Sequence, residues 1–367
     1  MYLTIKKKAV TDYGSIAALT AICLLLLHYP NAMATGISRG LSICSTVIIP
    51  TLYPFMLLAG VLANSPLCRH SGRVLTAVTR RLFGLPGCCG PAILLSLVGG
   101  YPAGAIAIAQ LREREQITEE ETRRMTLFCV NGGPGFIIST VGAGLLHSAQ
   151  AGVLLFAAQA TVSVAFGIVL GRGHRHVSKA PAAPLPPKKP MAQIVSNTCA
   201  ALLTMCGFVV LAAMGLALVE GCNLATGLAT LFRTNATTVS AVLAAVTEVS
   251  CGCIALSGAS HLAPLWLSLI LSWGGLSVQG QLAAILPDER IIGWRFWRWR
   301  LLHGLLSGGA AMGLFALFPI YHSTLQNDAA VIPYSVSVAA TLMLLLLSFL
   351  AMLCFSNFSE KKTGNVS

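Results

Sequence analysis

Glu248 is an acid in the middle of an apolar run, Ala241 to Cys253, with no basic residue near it in sequence. A carboxylate near the centre of a membrane helix costs about 2.5–3.5 kcal/mol on insertion scales. Such a residue is retained for pairing, for carrying a proton or for contacting a ligand, the alternative being a hydrogen-bonded structural acid. Asn131, Gln279 and Gln281 are amides in equally apolar surroundings, where they either bond a solute or hold helices together. Tyr101 lies in Gly99-Gly100-Tyr101-Pro102-Ala103-Gly104, and its hydroxyl either faces a break in a helix or joins an interfacial belt. Two histidines, His174 and His176, share a basic loop without the further ligands a metal site needs. No metal and no cofactor is expected.

The elements that position these groups are interrupted helices. Proline lacks an amide hydrogen and clashes with the carbonyl four residues back, and the three glycines around Tyr101 carry no Cβ, so a helix entering this stretch breaks. Asn131-Gly132-Gly133-Pro134-Gly135 and Ser272-Trp273-Gly274-Gly275 repeat the interruption. Broken backbone persists at membrane depth only where protein or a watery cavity satisfies it, and many transporters build their substrate sites this way. A proline kink used for packing is the plainer alternative for any one of them. Pro102 and Pro134 each stand where a new half-helix would begin, which aims free amides at the break and favours an anionic group there. The candidate solute-binding residues are Gly100, Tyr101, Pro102, Gly104, Asn131, Gly132, Gly133, Glu248, Gly274, Gly275 and Gln279. No catalytic residue is expected.

Composition fixes the class. Of 367 residues 55% are hydrophobic and 10% charged, and the mean hydropathy is +0.77. A soluble domain of this size could not cover itself with polar surface, so the chain reads as an all-α polytopic membrane protein whose first partner is the lipid bilayer. Its net charge of +12 is then a matter of topology rather than of nucleic acid. Twelve cysteines lie mostly within apolar segments, where cysteine is a small hydrophobe. There is no phosphate-binding loop for ATP-driven pumping, and no Ser-His-Asp hydrolase is expected.

Lys6-Lys7-Lys8 before the run Ile16 to Leu27 outlines either a signal peptide or, as favoured here, a retained anchor. Gly36 to Ile49 reads as an amphipathic, interfacial helix and Pro50 to Ala63 as a short crossing kinked at Pro54. Thr118 and Glu121 form a capping box that opens a hydrophilic helix, whose acids and arginines read as a solvated face. Trp294, Trp297 and Trp299, with Arg295 to Arg300 and His303, read as an anchor at the cytoplasmic boundary.

If every apolar segment spans, the basic residues split almost evenly between the two sides. If the segments around Tyr101 and Glu248 are re-entrant instead, only Arg39 and Arg233 of the 24 lysines and arginines lie outside, as the positive-inside rule asks. The two re-entrant segments then enter from opposite sides, giving two inverted gate-type repeats. The divisions expected are a membrane anchor at 1–34, a first repeat at 35–170, a basic cytoplasmic linker at 171–190, a second repeat at 191–286 and C-terminal membrane helices with a tail at 287–367. Both termini are cytoplasmic, and homo-oligomerisation is left open.

Gly99-Gly-Tyr-Pro-Ala-Gly104, Ile117-Thr118, Asn131-Gly-Gly-Pro-Gly-Phe-Ile137, Gly274-Gly-Leu-Ser-Val-Gln279 and Arg300-Leu-Leu-His303 together resemble the YlbJ-type sporulation integral membrane proteins. These belong to a nucleoside-recognition, or gate, domain group, and the resemblance covers roughly residues 35 to 320. It implies a cell-membrane protein of endospore-forming bacteria, and export of dipicolinate from the mother cell towards the forespore. The expected function is transport of a small anionic solute, the rivals being a nucleoside-type gate transporter and a non-transporting membrane assembly factor for spore formation. The topology is testable without a substrate. In a background stripped of native cysteines, a single cysteine at Ser148 is expected to be labelled from outside intact cells, and one at Ser178 only after permeabilisation. Equal labelling of both would remove the two-re-entrant topology.

Overall fold

The computed structural model describes residues 20, 23–64, 75–173, 189–258, 262–288 and 291–318. Lys6 to Lys8, most of the basic linker with Ser178, the C-terminal run Val336 to Phe355 and the tail lie outside the described residues. Among the described residues there are helices and no strand.

The first long helix, α1 (Pro30–Ala63), is 34 residues long. It is one continuous element with a π-helical turn at Cys44–Ile48, not an interfacial helix followed by a separate crossing. Pro54 is absorbed within it. Its run Gly36-Ile-Ser-Arg-Gly40 spells the Gly-x-Ser-x-Gly of a nucleophile elbow but sits in unbroken helix, whereas an elbow needs a strand-to-helix turn. The glycines serve packing instead. A Cβ on Gly36 or Gly40 would come within 2.8 Å of Met214 Cα or Val210 Cα on the long helix α7 (Met191–Gly221), the small-residue contact typical of membrane helices.

A short helix, α2 (75–83), leads into α3 (Cys89–Glu113). α3 is long and apolar enough to span, yet Gly100 interrupts it at φ 76° and ψ −160°. The halves fold back on each other: an ideal Cβ on Gly104 lies 3.0 Å from Ser96 Cβ, where a straight helix would separate those positions by about 12 Å. At about 16 and 20 Å the halves are also too short for a hydrocarbon core of about 30 Å. α3 is therefore a hairpin with Gly100 at its tip, as re-entry requires.

α4 (Glu119–Phe128) starts on the expected capping box, with Thr118 Oγ1 accepting from Glu121 N and Glu121 Oε2 accepting from Thr118 N. Its polar residues are not all solvated. Glu121 and Arg124 are buried, and Arg124 Nη2 donates to the carbonyls of Phe83 (2.6 Å) and Gly84 (2.8 Å) at the end of α2. After a break at 129–133 the chain resumes as the π-helical α5 (Gly135–Leu145), with Pro134 at its N-cap. α6 (Ala149–Gly171), capped by Ser148, closes the first half.

The second half runs through the same sequence of elements. α7 is followed by the short α8 (Leu224–Leu231) and by the pair α9 (Ala236–Thr247) and α10 (Val249–Leu256), separated by Glu248 alone, which is extended. These two also fold back, since a Cβ on Gly252 would lie 2.5 Å from Ala245 Cα. α11 (Ala263–Trp273) and α12 (Gly275–Ile285) form a broken helix joined by the left-handed Gly274, and α13 (Trp294–Leu317) takes the place that α6 holds in the first half. Corresponding elements pack together across the molecule, α1 on α7 and α6 on α13. At one end Arg39 pairs with Glu220 at 3.2 Å. At the other, Arg112 pairs with Asp288 at 2.6 Å and Arg295 with Glu120 at 3.3 Å.

The hairpin tip gives a stability test. A Cβ on Gly100 would sit 2.8 Å from Gly133 N while φ is positive, so Gly100→Ala is expected to destabilise the purified protein by about 1–3 kcal/mol from backbone strain before the clash is counted. Gly207→Ala, where nothing lies within 4 Å, is expected to be neutral or to gain up to about 1 kcal/mol. Thermal unfolding in detergent compares the two.

Candidate functional site

The two hairpin tips meet the two helix breaks. Gly100 packs on Gly133, and Gly275 packs on Glu248, where a Cβ would lie 2.9 Å from Glu248 Cα. Between them is a cavity of about 410 Å³ counting its open side. Gly99, Gly100, Tyr101 and Pro102 line it from the first tip, Glu248, Val249 and Ser250 from the second, and Gly133 and Gln281 from the broken helices. Ile48, Leu52, Met205 and Val209 wall it from the long helices α1 and α7. Its core has room for about one water-sized sphere, so this conformation is close to occluded.

The second tip does not present free amides. Glu248 is 1% exposed and its Oε2 accepts from Cys251 N at 2.8 Å, so the acid is the N-cap of α10. The free helix ends expected after Pro102 and Pro134 belong to the first half; on this side a carboxylate stands at the helix end. The Tyr101 hydroxyl donates to Leu271 O on α11, tying the first tip to the second half. It is buried, not part of an interfacial belt.

Behind the first break lies a cation that sequence reasoning assigned to the membrane boundary. Arg300 is 1% exposed and donates from Nη1 to Asn131 Oδ1 at 3.2 Å. Asn131 Nδ2 in turn donates to Phe128 O, the last residue of α4. One turn further along α13, His303 is fully buried between Ser163 Oγ of α6 and Ser272 Oγ of α11, each 2.8 Å from a ring nitrogen. Gln159 Nε2 adds bonds to Ser268 O (3.0 Å) and Ser272 Oγ (3.3 Å). Gln159 Oε1, Ser268 Oγ and Ser307 Oγ have no hydrogen-bond partner among the described residues. Trp297 is likewise core, its ring edge-on to Trp273 at 5.5 Å, while Trp294 is exposed beside Arg298. The boundary reading of Trp297, Arg300 and His303 is thus corrected: Phe296, Arg300, His303 and Ser307 form one inward stripe at spacings of four, three and four.

Comparison with curated proteins finds similarity to "Sporulation integral membrane protein YlbJ" of Bacillus subtilis (strain 168), with 28% identity over 335 residues that cover 82% of each chain. The chain is similar over most of its length to this YlbJ-type sporulation integral membrane protein, the group its sequence motifs resemble. No family model matches it, and no solved structure does.

The residues singled out from sequence divide into two groups. Gly100, Tyr101, Pro102, Gly133 and Glu248 line the cavity. Gly104 lies against Cys129 O and Ser96, Gly132 against Ile137 and the Tyr101 hydroxyl, and Gly274 and Gly275 make the positive-φ turn of the second break. Gln279 is buried, with Nε2 3.5 Å from Trp273 O and Oε1 without a partner, and Gln281 rather than Gln279 reaches the cavity. Among the described residues no group of three or more His, Cys, Asp or Glu could hold a metal ion.

The imidazole bridge makes its own prediction. One ring nitrogen of a neutral His303 must accept and the other donate, and each serine satisfies one of them. Ser163→Ala and Ser272→Ala should each destabilise the protein by about 1–3 kcal/mol, the cost of a buried group left unmatched. Thermal unfolding of the purified variants measures it, with exposed Ser38→Ala as the unchanged control.

Proposed function

We propose that the chain is a membrane carrier of a small anionic solute, built from two inverted repeats that move around the cavity between the hairpin tips. The observation that carries the reading is the meeting of both tips and both breaks at one cavity, mostly apolar but lined also by Tyr101, Glu248, Ser250 and Gln281. Interrupted backbone at membrane depth is costly unless it lines such a cavity, and substrate sites at repeat interfaces are the usual use of it. The first half contributes three crossings if α1, the α4–α5 pair and α6 each traverse, an odd number, so the second half runs in the opposite sense. The recurrence of elements supports a second repeat that extends through α13.

The anionic part of the reading rests on the first break. The tip after Gly100 starts a half-helix at Pro102, and helix N-termini favour negative charge. Glu248 stands opposite, so an anionic solute lies with its charged group towards the first break. Among the described residues Glu248 also supplies the one carboxylate that lines the cavity, placed to contact the solute or to carry a proton with it. Dipicolinate, a small dicarboxylate, is the test solute that the YlbJ-type resemblance suggests.

Proteoliposomes holding the purified protein are expected to take up labelled dipicolinate, and an uncharged nucleoside neither to move nor to compete. Glu248→Gln is expected to insert normally and lose transport. Nucleoside uptake with indifference to dipicolinate would reverse the charge assignment, and absence of uptake for every solute in a panel would leave a non-transporting scaffold.

A further inference from the structure

The buried and half-buried arginines differ in what answers them. Arg112 meets Asp288, Arg123 meets Glu119, and Arg124 ends α2 by binding two of its carbonyls. Arg300 is buried as deeply as Arg124, yet no carboxylate among the described residues pairs with it. Its partner is the neutral amide oxygen of Asn131. Arginine's planar fork suits bidentate capture of a carboxylate or phosphate, and an uncharged oxygen uses only part of that capacity.

The location matters as much as the missing counter-charge. Asn131 opens the break whose Gly133 lines the cavity, and Tyr101 of the facing tip lines the same cavity. One turn along α13, His303 is pinned by Ser163 and Ser272, which fixes the helix that carries Arg300. A cation standing behind the cavity lining at the first break, whose acceptor among the described residues is a neutral, displaceable amide, is preorganised for an anionic partner.

We propose that Arg300 is the charge-selecting residue of this carrier: it pairs with the anionic group of the solute at the first helix break, and Asn131 is the positioning residue that holds it ready. The assignment rests on the carrier reading above. Binding exchanges the Asn131 oxygen for a solute carboxylate oxygen, so the bare cation is never left without an acceptor. Selection for charge then comes from one full positive charge added to the helix end, with Glu248 across the cavity rejecting the reverse orientation.

The test uses the full-length protein, with dipicolinate as probe, in two measurements: uptake into proteoliposomes and the thermal shift that the probe causes in detergent. Asn131→Asp separates a structural arginine from a selecting one. It gives the buried cation an internal carboxylate at the cost of the Asn131 Nδ2 bond to Phe128 O, so folding is read separately from the melting temperature without probe, while dipicolinate affinity, read by uptake and thermal shift, should fall about 100-fold because the guanidinium is already occupied. Arg300→Gln should lose the response to dipicolinate but keep a response to its uncharged diamide, and Arg300→Lys should keep part of the dipicolinate response. Wild-type uptake by Asn131→Asp, or an undiminished dipicolinate shift in Arg300→Gln, would overturn the assignment. If Arg300→Gln does not fold, the Asn131→Asp and Arg300→Lys results decide it. A wild-type protein that binds dipicolinate without moving it would remove the carrier reading, and the same variants would still decide whether Arg300 holds the anion.

Discussion

The structure depends on where interrupted backbone can find partners inside lipid. A helix that stops at membrane depth strands amides and carbonyls, and each such group costs several kcal/mol if nothing takes the place of water. Here each interruption is set against another. Gly100 lies on Gly133, and Gly275 lies on Glu248, at distances that admit no Cβ. Side chains close much of the remainder: Glu248 caps α10, Asn131 reaches back to Phe128 O, and Tyr101 reaches Leu271 O across the two halves. Each tip is thereby tied to the break opposite it, so movement of one is movement of both.

Duplication of the element order does not make the two tips chemically alike. The first is made of glycines, a tyrosine and a proline, and has a guanidinium behind its partner break. The second is an acid that accepts from the Cys251 amide of its own half-helix. The long helices α1 and α7 contribute only apolar side chains to the cavity wall. The polar side chains that line the cavity therefore belong to the interrupted elements, while the long helices supply the enclosure.

The α6–α11–α13 contact stiffens the region behind the cavity. His303 bonds to two helices at once, and Phe166 covers it edge-on at 5.4 Å and Trp299 at 5.1 Å. A buried network whose members are mostly matched rigidifies its surroundings, because every small displacement breaks a bond that water cannot replace. The unmatched oxygens of Gln159, Ser268 and Ser307 mark where that network is incomplete.

Local chemistry in the sequence settled the class, the interruptions and the caps. An apolar composition has no soluble solution, glycine and proline at Gly99 to Gly104 cannot continue a helix, and Thr118 with Glu121 needs only its own four residues to form a capping box. The hairpin shape of the Tyr101 and Glu248 segments is what the re-entrant reading of basic-residue placement asks for, because topology is a sum over the whole chain. What tertiary structure alone decided is which polar groups are buried together. Arg300 and His303 sit among exposed arginines and tryptophans in sequence, and charge counting assigns the whole cluster to the membrane boundary. Only the helical stripe Phe296-Arg300-His303-Ser307 hinted otherwise, and its meaning required Asn131, Ser163 and Ser272, which lie between 31 and 169 residues away. Partners at that separation meet because helices pack, and no local spacing records it.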